Sequence, residues 1–99
     1  MNKTISNNIK FWKVSFNNNI AVDIVELNKI KETKTSIVVM NGDKRISINN
    51  YFIAKLQTKG RGKNKETFMY VNAETVSGAR KAAQYFMLRN ILENSAENN

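Results

Sequence analysis

The sequence predicts an α+β fold: an antiparallel sheet of about five strands, a meander of hairpins, with one C-terminal helix packed on one face. Residues 10–71 carry runs of alternating or β-branched residues that are separated by turns rich in asparagine and glycine. Residues 72–94 carry apolar side chains at helical spacing. With 99 residues, the chain has the length of one domain.

Local patterns of side chains predict the strands. In residues 10–16, Trp12, Val14 and Phe16 alternate with more polar neighbours, which is strand periodicity. The other predicted strands are residues 20–27, 35–40, 45–49, 51–57 and 66–71, and residues 28–34 are predicted to be a polar loop. Residues 20–31 also fit a helical stripe with Asn19 as N-cap, so an alternative layout has a second helix there. The β-branched residues of this segment favour the strand.

Turn residues predict two hairpins. Asn41-Gly42 stands between two strand-like runs and predicts a type I′ turn, in which both central residues need positive φ. The run Asn17–Asn19 predicts a further turn, because asparagine tolerates the left-handed conformation. Residues 58–65 join two predicted strands and form the long tip of the second hairpin.

The predicted helix begins after Asn72 or Thr75, either of which can cap it. Its apolar stripe is Val76, Ala79, Ala83, Phe86 and Met87, widened by Ala82, Tyr85, Leu88 and Leu92. We expect this stripe to pack on Trp12, Ile37, Val39, Ile53 and Phe68. The folded domain is predicted to span residues 9–93, with flexible ends at residues 1–8 and 94–99.

The absence of cysteine and histidine excludes several classes of site. No disulfide, no Cys/His zinc site and no catalysis by Cys–His or Ser–His–Asp groups is possible. Asp23, Glu32 and Lys34 resemble the metal-binding core of PD-(D/E)xK nucleases, in which two carboxylates hold a divalent cation. The proline of that motif is missing, and the chain is short for that fold. We therefore expect a protein that is not an enzyme and needs no metal or cofactor.

Clustered positive charge is the most distinctive feature of the chain. Its formal net charge is +8, and residues 44–65 contain only positive charges. These cations are Lys44, Arg45, Lys55, Lys59, Arg61, Lys63 and Lys65. Five of them fall in residues 55–65, around the loop Thr58–Lys65, which we call the basic finger. Such clusters are the electrostatic footprint of nucleic-acid binding.

The composition of the basic finger suits a phosphate backbone. Its cations alternate with Gly60, Gly62 and Asn64. On an extended loop this alternation would place the charges along one edge at ~6.6 Å intervals. The glycines would let the backbone approach a polyanion closely.

Aromatic and helical residues extend the candidate site. Tyr51 and Tyr70 lie on the strands that flank the basic finger, where they could stack on bases beside Lys55. Arg80, Lys81 and Arg89 on the helix are candidates for a secondary basic surface.

The sequence predicts a small basic protein that binds DNA or RNA through backbone phosphates, with low sequence specificity. One alternative is an interaction protein of a phage or mobile element that docks its basic loop in an acidic groove of a host assembly. This fits the abundance of asparagine and lysine, whose codons are A/T-rich. A weaker alternative is a virion-associated subunit, or a homodimer formed through a sheet edge. Without an apolar leader or membrane segment, we expect a cytoplasmic protein, in the host cytoplasm if phage-encoded, that does not bind membranes.

Overall fold

The computed structural model describes residues 9–97, with side chains described through residue 93. The strands are β1 (Lys10–Asn17), β2 (Ile20–Glu32), β3 (Ser36–Asn41), β4 (Lys44–Asn49), β5 (Gln57–Lys59) and β6 (Glu66–Ala73), and one helix follows, α1 (Val76–Glu97). The predicted α+β class is confirmed, with six strands in the sheet. The predicted flexible segment 1–8 and the last two residues of the predicted tail lie outside the described residues, whereas residues 94–97 continue the helix.

All neighbouring strands of the sheet are antiparallel, and their order is β4-β3-β2-β1-β6-β5. β1 lies between β2 and β6, so the sheet joins a four-stranded meander to the β5–β6 hairpin. The connection from β4 to β5 therefore leads from one edge of the sheet to the other. Among residues 9–97, no helix has the length and apolar character needed to cross a membrane.

The ambiguous segment at residues 20–31 is a strand, which excludes the two-helix layout. β2 runs for 13 residues. Its first part pairs with β1, and its last part, from Asn28 to Glu32, pairs with β3 across an irregularity between Lys29 and Lys31. The predicted polar loop at residues 28–34 was therefore wrong for residues 28–32, because ladder pairing with β3 orders the backbone regardless of its polar side chains, and correct only for Thr33 and Lys34. The turn itself is short: Thr33 Oγ1 accepts hydrogen bonds from the amides of Thr35 and Ser36.

The predicted strand at residues 51–57 was wrong for most of its length. Asn49 accepts a hydrogen bond from the Tyr51 amide at 2.8 Å and caps a 3-10 turn over Asn50–Phe52. Ile53 makes only an isolated parallel bridge to Tyr70, and Ala54 then adopts a left-handed φ of 64°. An asparagine cap and a left-handed residue break the strand periodicity, so β5 begins only at Gln57.

One of the two short hairpin turns is as predicted, and the other is displaced by one residue. Asn18 and Asn19 both have positive φ, 54° and 68°, as a type I′ turn requires. In the β3–β4 hairpin, Asn41 pairs with Lys44, so Gly42 and Asp43 are the central turn residues. The hairpin is confirmed, but the predicted Asn41-Gly42 turn centre was displaced by one residue. Gly42, at φ 65°, supplies the positive angle at the first central position.

The core consists of two clusters on opposite faces of the sheet. The helix covers Trp12, Val14, Phe16, Ala21, Met69 and Val71 with its buried residues Ala79, Ala83 and Met87. The second cluster contains Phe11, Leu27, Ile37, Val39, Ile48, Phe68 and Tyr70. Of the residues predicted to pack under the helix, only Trp12 does so. Ile37, Val39, Ile53 and Phe68 lie on the opposite face, because a one-residue change in register exchanges the faces.

The helix begins after Thr75, whose Oγ1 accepts a hydrogen bond from the Gly78 amide at 3.0 Å. The other predicted cap, Asn72, lies in β6 opposite Phe11. Gln84 anchors the β1–β2 turn, since its side chain accepts from the Ala21 amide and donates to the Asn19 carbonyl. The predicted apolar stripe was wrong for four residues, which are exposed on the helix: Val76, Tyr85, Leu88 and Leu92.

Candidate polyanion-binding surface

The β5–β6 hairpin positions the basic finger. Gln57, Thr58 and Lys59 pair with Phe68, Thr67 and Glu66. β6 also pairs along its length with β1, and four consecutive residues, Phe68 to Val71, are buried. The finger is therefore rooted in a central strand that is packed on both faces. It leaves the sheet at the same end as the Asn17–Asn19 turn, because Phe16 of β1 pairs with Thr67.

The tip of the finger is a folded turn. Gly62–Asn64 forms a 3-10 turn, in which the Asn64 amide donates to the Arg61 carbonyl at 3.0 Å and the Lys65 amide donates to the Gly62 carbonyl at 3.3 Å. Gly60 has a φ of 95°, and a Cβ on it would lie 2.6 Å from the Asn64 carbonyl oxygen. The expected extended loop with evenly spaced charges was wrong, because these hydrogen bonds compact the tip.

The charges of the finger are exposed and uncompensated. Lys59, Arg61, Lys63 and Lys65 are all exposed. Among residues 9–93, none of these four cations lies within 4.0 Å of a carboxylate oxygen. The acid next in sequence, Glu66, instead forms an ion pair with Lys13 at 3.0 Å. The positive charge of the finger therefore faces solvent.

Lys55 and Tyr51, in the segment that precedes β5, form a second part of the candidate binding surface. Lys55 Nζ lies 4.4 Å from the centre of the Tyr51 ring, a cation–π contact. Tyr51 is 65% exposed, and its ring meets the half-exposed Phe52 edge to face. Tyr51 is thus accessible for stacking, as predicted for an exposed tyrosine. Phe52 was missed, and the signal that could have found it is the Asn49-Asn50 pair, which interrupts strand periodicity before it.

Tyr70 is not a stacking residue, because it belongs to the core. It is only 9% exposed and stacks on Phe11 with ring centres 5.7 Å apart. Burial raises the pKa of its hydroxyl above the usual 10.0, although Lys13 opposes this shift. The prediction assumed that β6 offers one face to solvent, whereas both of its faces are covered.

The remaining predicted cations lie on other elements of the fold. Lys44 and Arg45 are exposed at the start of β4, on the opposite edge strand in the sheet order. Arg80 donates a hydrogen bond to the Ala21 carbonyl at 3.0 Å, so it holds the β1–β2 turn. Arg89 pairs with Glu93 at 3.3 Å, and Lys81 is exposed on the helix.

The carboxylates that resemble a nuclease motif are far apart. Asp23 and Glu32 lie nine residues apart on β2, which corresponds to roughly 30 Å along an extended strand. Glu32 is also paired with Lys29 at 3.3 Å. Two carboxylates at this separation cannot hold one cation. Within the described part of the chain, no group of three or more Asp or Glu residues is placed to bind a metal ion.

In comparisons with known proteins, the chain matched no family model, no curated protein and no solved structure. Its function therefore has to be inferred from the chemistry of its own surface.

Proposed function

We propose that this protein binds nucleic acid, chiefly through backbone phosphates, with the basic finger as the main contact. The observation that carries the proposal is the group of four exposed cations, Lys59, Arg61, Lys63 and Lys65, within seven residues, which have no carboxylate partner among residues 9–93. Lysine and arginine bind phosphate oxygens and release condensed counterions, which favours association at moderate salt. Lys55 adds a fifth cation at the foot of the hairpin.

Low sequence specificity is part of this proposal. Contacts to phosphate set the position of a protein but do not read bases, and base reading needs side chains aimed at base edges. α1 buries Ala79, Ala83 and Met87 against the sheet. Two of its polar residues, Arg80 and Gln84, are engaged with the β1–β2 turn. These contacts make α1 a structural brace and a poor recognition helix.

A binding series in rising salt tests the proposal. The variant Arg61→Ala/Lys63→Ala/Lys65→Ala removes three cations whose side chains have no described partner. Each phosphate contact contributes a slope of about 0.9 in log K against log salt, so we expect a slope lower by ~2.7 and affinity lower by about 100- to 500-fold at 0.1 M salt. Fluorescence anisotropy with labelled DNA and RNA oligomers measures both quantities.

The matched control is Lys44→Ala/Arg45→Ala, which removes two exposed cations from the β3–β4 hairpin. We expect it to lower affinity by less than tenfold, through net charge alone. Equal affinity of the wild type and the triple variant would contradict the proposal. So would equal losses per charge in the triple variant and the control, since binding would then follow net charge and not the finger.

A second candidate function is docking of the same finger in an acidic groove of another protein, as for a phage or mobile-element protein that acts on a host assembly. The observation that favours it is the exposed aromatic pair Tyr51 and Phe52, because aromatic residues are enriched in protein interfaces. Pull-down from a host lysate, with and without nuclease treatment, separates the two functions. A protein partner retained after nuclease treatment supports docking, and complete loss supports nucleic-acid binding.

Association of two copies through a sheet edge is a third, weaker possibility, which also covers a structural role in a virion. The edge strands are β4 and β5, and β5 has only three residues. β4 starts with Lys44 and Arg45, and charged residues on an edge oppose pairing. Sedimentation at tens of micromolar tests this possibility, and a strict monomer would count against it.

A further inference from the structure

A cleft lies between α1 and the segment that leads from β4 to β5. Its volume is about 370 Å³. The apolar part of its lining comes from Ile53, Leu56 and Phe86. Phe86, Arg89, Asn90 and Glu93 of the helix share one face, at the i, i+3, i+4, i+7 spacing, and the polar ones form part of the rim. The lining of the cleft is therefore mixed, with aromatic and apolar side chains beside charged and amide groups.

The backbone of the cleft wall is held in an unusual conformation. Ala54 adopts a φ of 64°, in the left-handed region that side chains other than glycine or asparagine seldom occupy. Its amide donates a hydrogen bond to the Tyr70 carbonyl at 2.7 Å, which ties the wall to the central strand β6. Conformations of this kind are costly and concentrate at binding sites, where the surrounding structure enforces them.

We propose that this cleft holds one unpaired base of single-stranded nucleic acid, while Lys55 and the basic finger bind the adjoining phosphates. The inference rests on the proposed function and adds to it the class of ligand. A base within a duplex is stacked and paired, so it cannot enter a cleft walled by a helix and a loop. An unpaired base can, and single strands are generally bound by stacking on aromatic side chains beside a positive groove.

The charges of the cleft favour a neutral heterocycle inside it and phosphate outside it. Arg89 is paired with Glu93 at 3.3 Å, so the helix side of the rim is close to neutral. Phe86 offers an aromatic surface for the face of a base, and the Asn90 amide can both donate to and accept from its edge. On the opposite rim, Lys55 has no described carboxylate partner and stays available for phosphate.

The chain connects the cleft directly to the finger. The chain passes from Lys55 and Leu56 on the cleft wall directly into β5, whose three residues extend over about 7 Å before the finger begins. Tyr51, whose exposed ring contacts Lys55 Nζ, adds a second aromatic surface next to this lining residue. A short single strand can therefore contact the aromatic surfaces and the finger together.

Binding of three probes tests the inference: a 12-nucleotide single strand, the same length of strand with abasic residues at its central positions, and a duplex of the same sequence. The abasic strand keeps every phosphate but lacks the central bases. For the wild type we expect the complete strand to bind about tenfold more tightly than the abasic strand, since a stacked base contributes on that order. We expect the affinity for the duplex, once corrected for the higher charge of the duplex, to be similar to the affinity for the abasic strand.

The variant Asn90→Phe places a large ring in the cleft without changing charge. The matched control is Leu88→Phe, because Leu88 is 55% exposed and outside the cleft lining. We expect Asn90→Phe to lose the preference for the complete strand while its affinity for the abasic strand stays within twofold, and we expect Leu88→Phe to behave as the wild type. Amide chemical shifts of the wild type supply a readout without mutation: residues 53–56 and 89–90 should shift with the complete strand and not with the abasic one.

The outcomes separate this inference from the proposed function. Equal affinity of the wild type for the complete and abasic strands overturns the cleft as a base site. If that affinity still falls in Arg61→Ala/Lys63→Ala/Lys65→Ala, binding through the finger stands. A wild type that binds none of the three probes overturns the proposed function and the cleft together. A preference for the complete strand that persists in Asn90→Phe places base contact elsewhere and overturns the cleft alone.

Discussion

The β3–β4 and β5–β6 hairpins both carry cations at or near their tips, yet they differ in strand pairing, loop length and neighbouring acids. The β3–β4 hairpin has six paired positions and a two-residue turn, and Asp43 stands directly beside Lys44 and Arg45. The β5–β6 hairpin has three paired positions and a longer loop, residues 60–65, that contains no acid. The two hairpins are both positively charged. They differ in whether an acid lies next to the cations and in the length of the loop that carries them.

The two hairpins also differ in how they are anchored. Each hairpin has one edge strand, β4 or β5, but their inner strands differ: β6 is buried on both faces from Phe68 to Val71, whereas only Ile37 and Val39 are buried in β3. A loop that leaves a strand buried on both faces has a firmer base than one that leaves a strand buried on one face, since its root is packed on more sides. Exposed charge on a rigid root loses less conformational freedom on binding, which favours affinity.

The largest expected effect on stability comes from substitutions in the strands that carry the two loops, β6 and β4. Met69 in β6 is fully buried under the helix, and we expect Met69→Ala to lower the free energy of unfolding by about 2–5 kcal/mol, through lost burial and a residual cavity. Ile46 in β4 is only half-buried, so Ile46→Ala should cost about 1–2 kcal/mol. Urea unfolding monitored by Trp12 fluorescence measures both, and equal losses would show that the two roots do not differ in anchoring.

A smaller effect on stability is expected from substitution of the glycines at the two hairpin tips. A Cβ on Gly60 would both strain the backbone and lie 2.6 Å from the Asn64 carbonyl oxygen, whereas a Cβ on Gly42 would meet open space among the described residues. We expect Gly60→Ala to cost about 2 kcal/mol or more and Gly42→Ala about 1 kcal/mol, which is the strain of positive φ alone. The same unfolding measurement applies.

Gly42→Asn is the control for the glycine comparison, because asparagine adopts the left-handed region more readily than alanine. The free energy of unfolding of Gly42→Asn should be closer to that of the wild type than the value for Gly42→Ala is. If Gly60→Ala were as stable as Gly42→Ala, the tip of the finger would be able to change conformation more easily than its backbone hydrogen bonds indicate.

The smallest effect concerns the acids nearest each set of cations. Glu66→Gln removes a partly exposed ion pair with Lys13 and should lower stability by about 0.2–1 kcal/mol. Loss of a negative charge ~10 Å from bound phosphates should also raise affinity for an oligomer about twofold at low salt. Asp43→Asn makes the same charge change in the other hairpin. An equal gain in affinity there would show that the two hairpins contribute alike to binding.

Some elements followed directly from the sequence because their determinants are local. The β-branched run after Ile20 formed a strand, Asn18 and Asn19 took the left-handed angles that asparagine tolerates, and Thr75 capped the helix. The basic finger, with Gly60 and Gly62, was likewise predicted to be the tip of a hairpin. Each of these depends on residues within a few positions of one another.

Other elements depended on residues distant in the chain. Tyr70 looked like an exposed stacking residue, but contact with Phe11 and the covering of both faces of β6 buried it. Residues 51–57 alternated like a strand, but a cap from Asn49 and the link from Ala54 to Tyr70 folded them into a turn that walls the cleft. The Asn49 cap is local and could have been predicted from the sequence, but periodicity could not reveal the contact with Phe11 or the link from Ala54 to Tyr70, since those partners lie outside each pattern.

Charge, fold class and the absence of cysteine and histidine were readable from composition and local order, because they are properties of single residues and short runs. The assignment of faces, the compact tip of the finger and the cleft beside Lys55 depended on strand register and on where the helix crosses the sheet. A shift of one residue in register exchanges the two faces of a strand, and the energies that select the register come from packing between residues far apart in sequence. The tertiary structure therefore decided which aromatic residues are buried and which lie beside the cations.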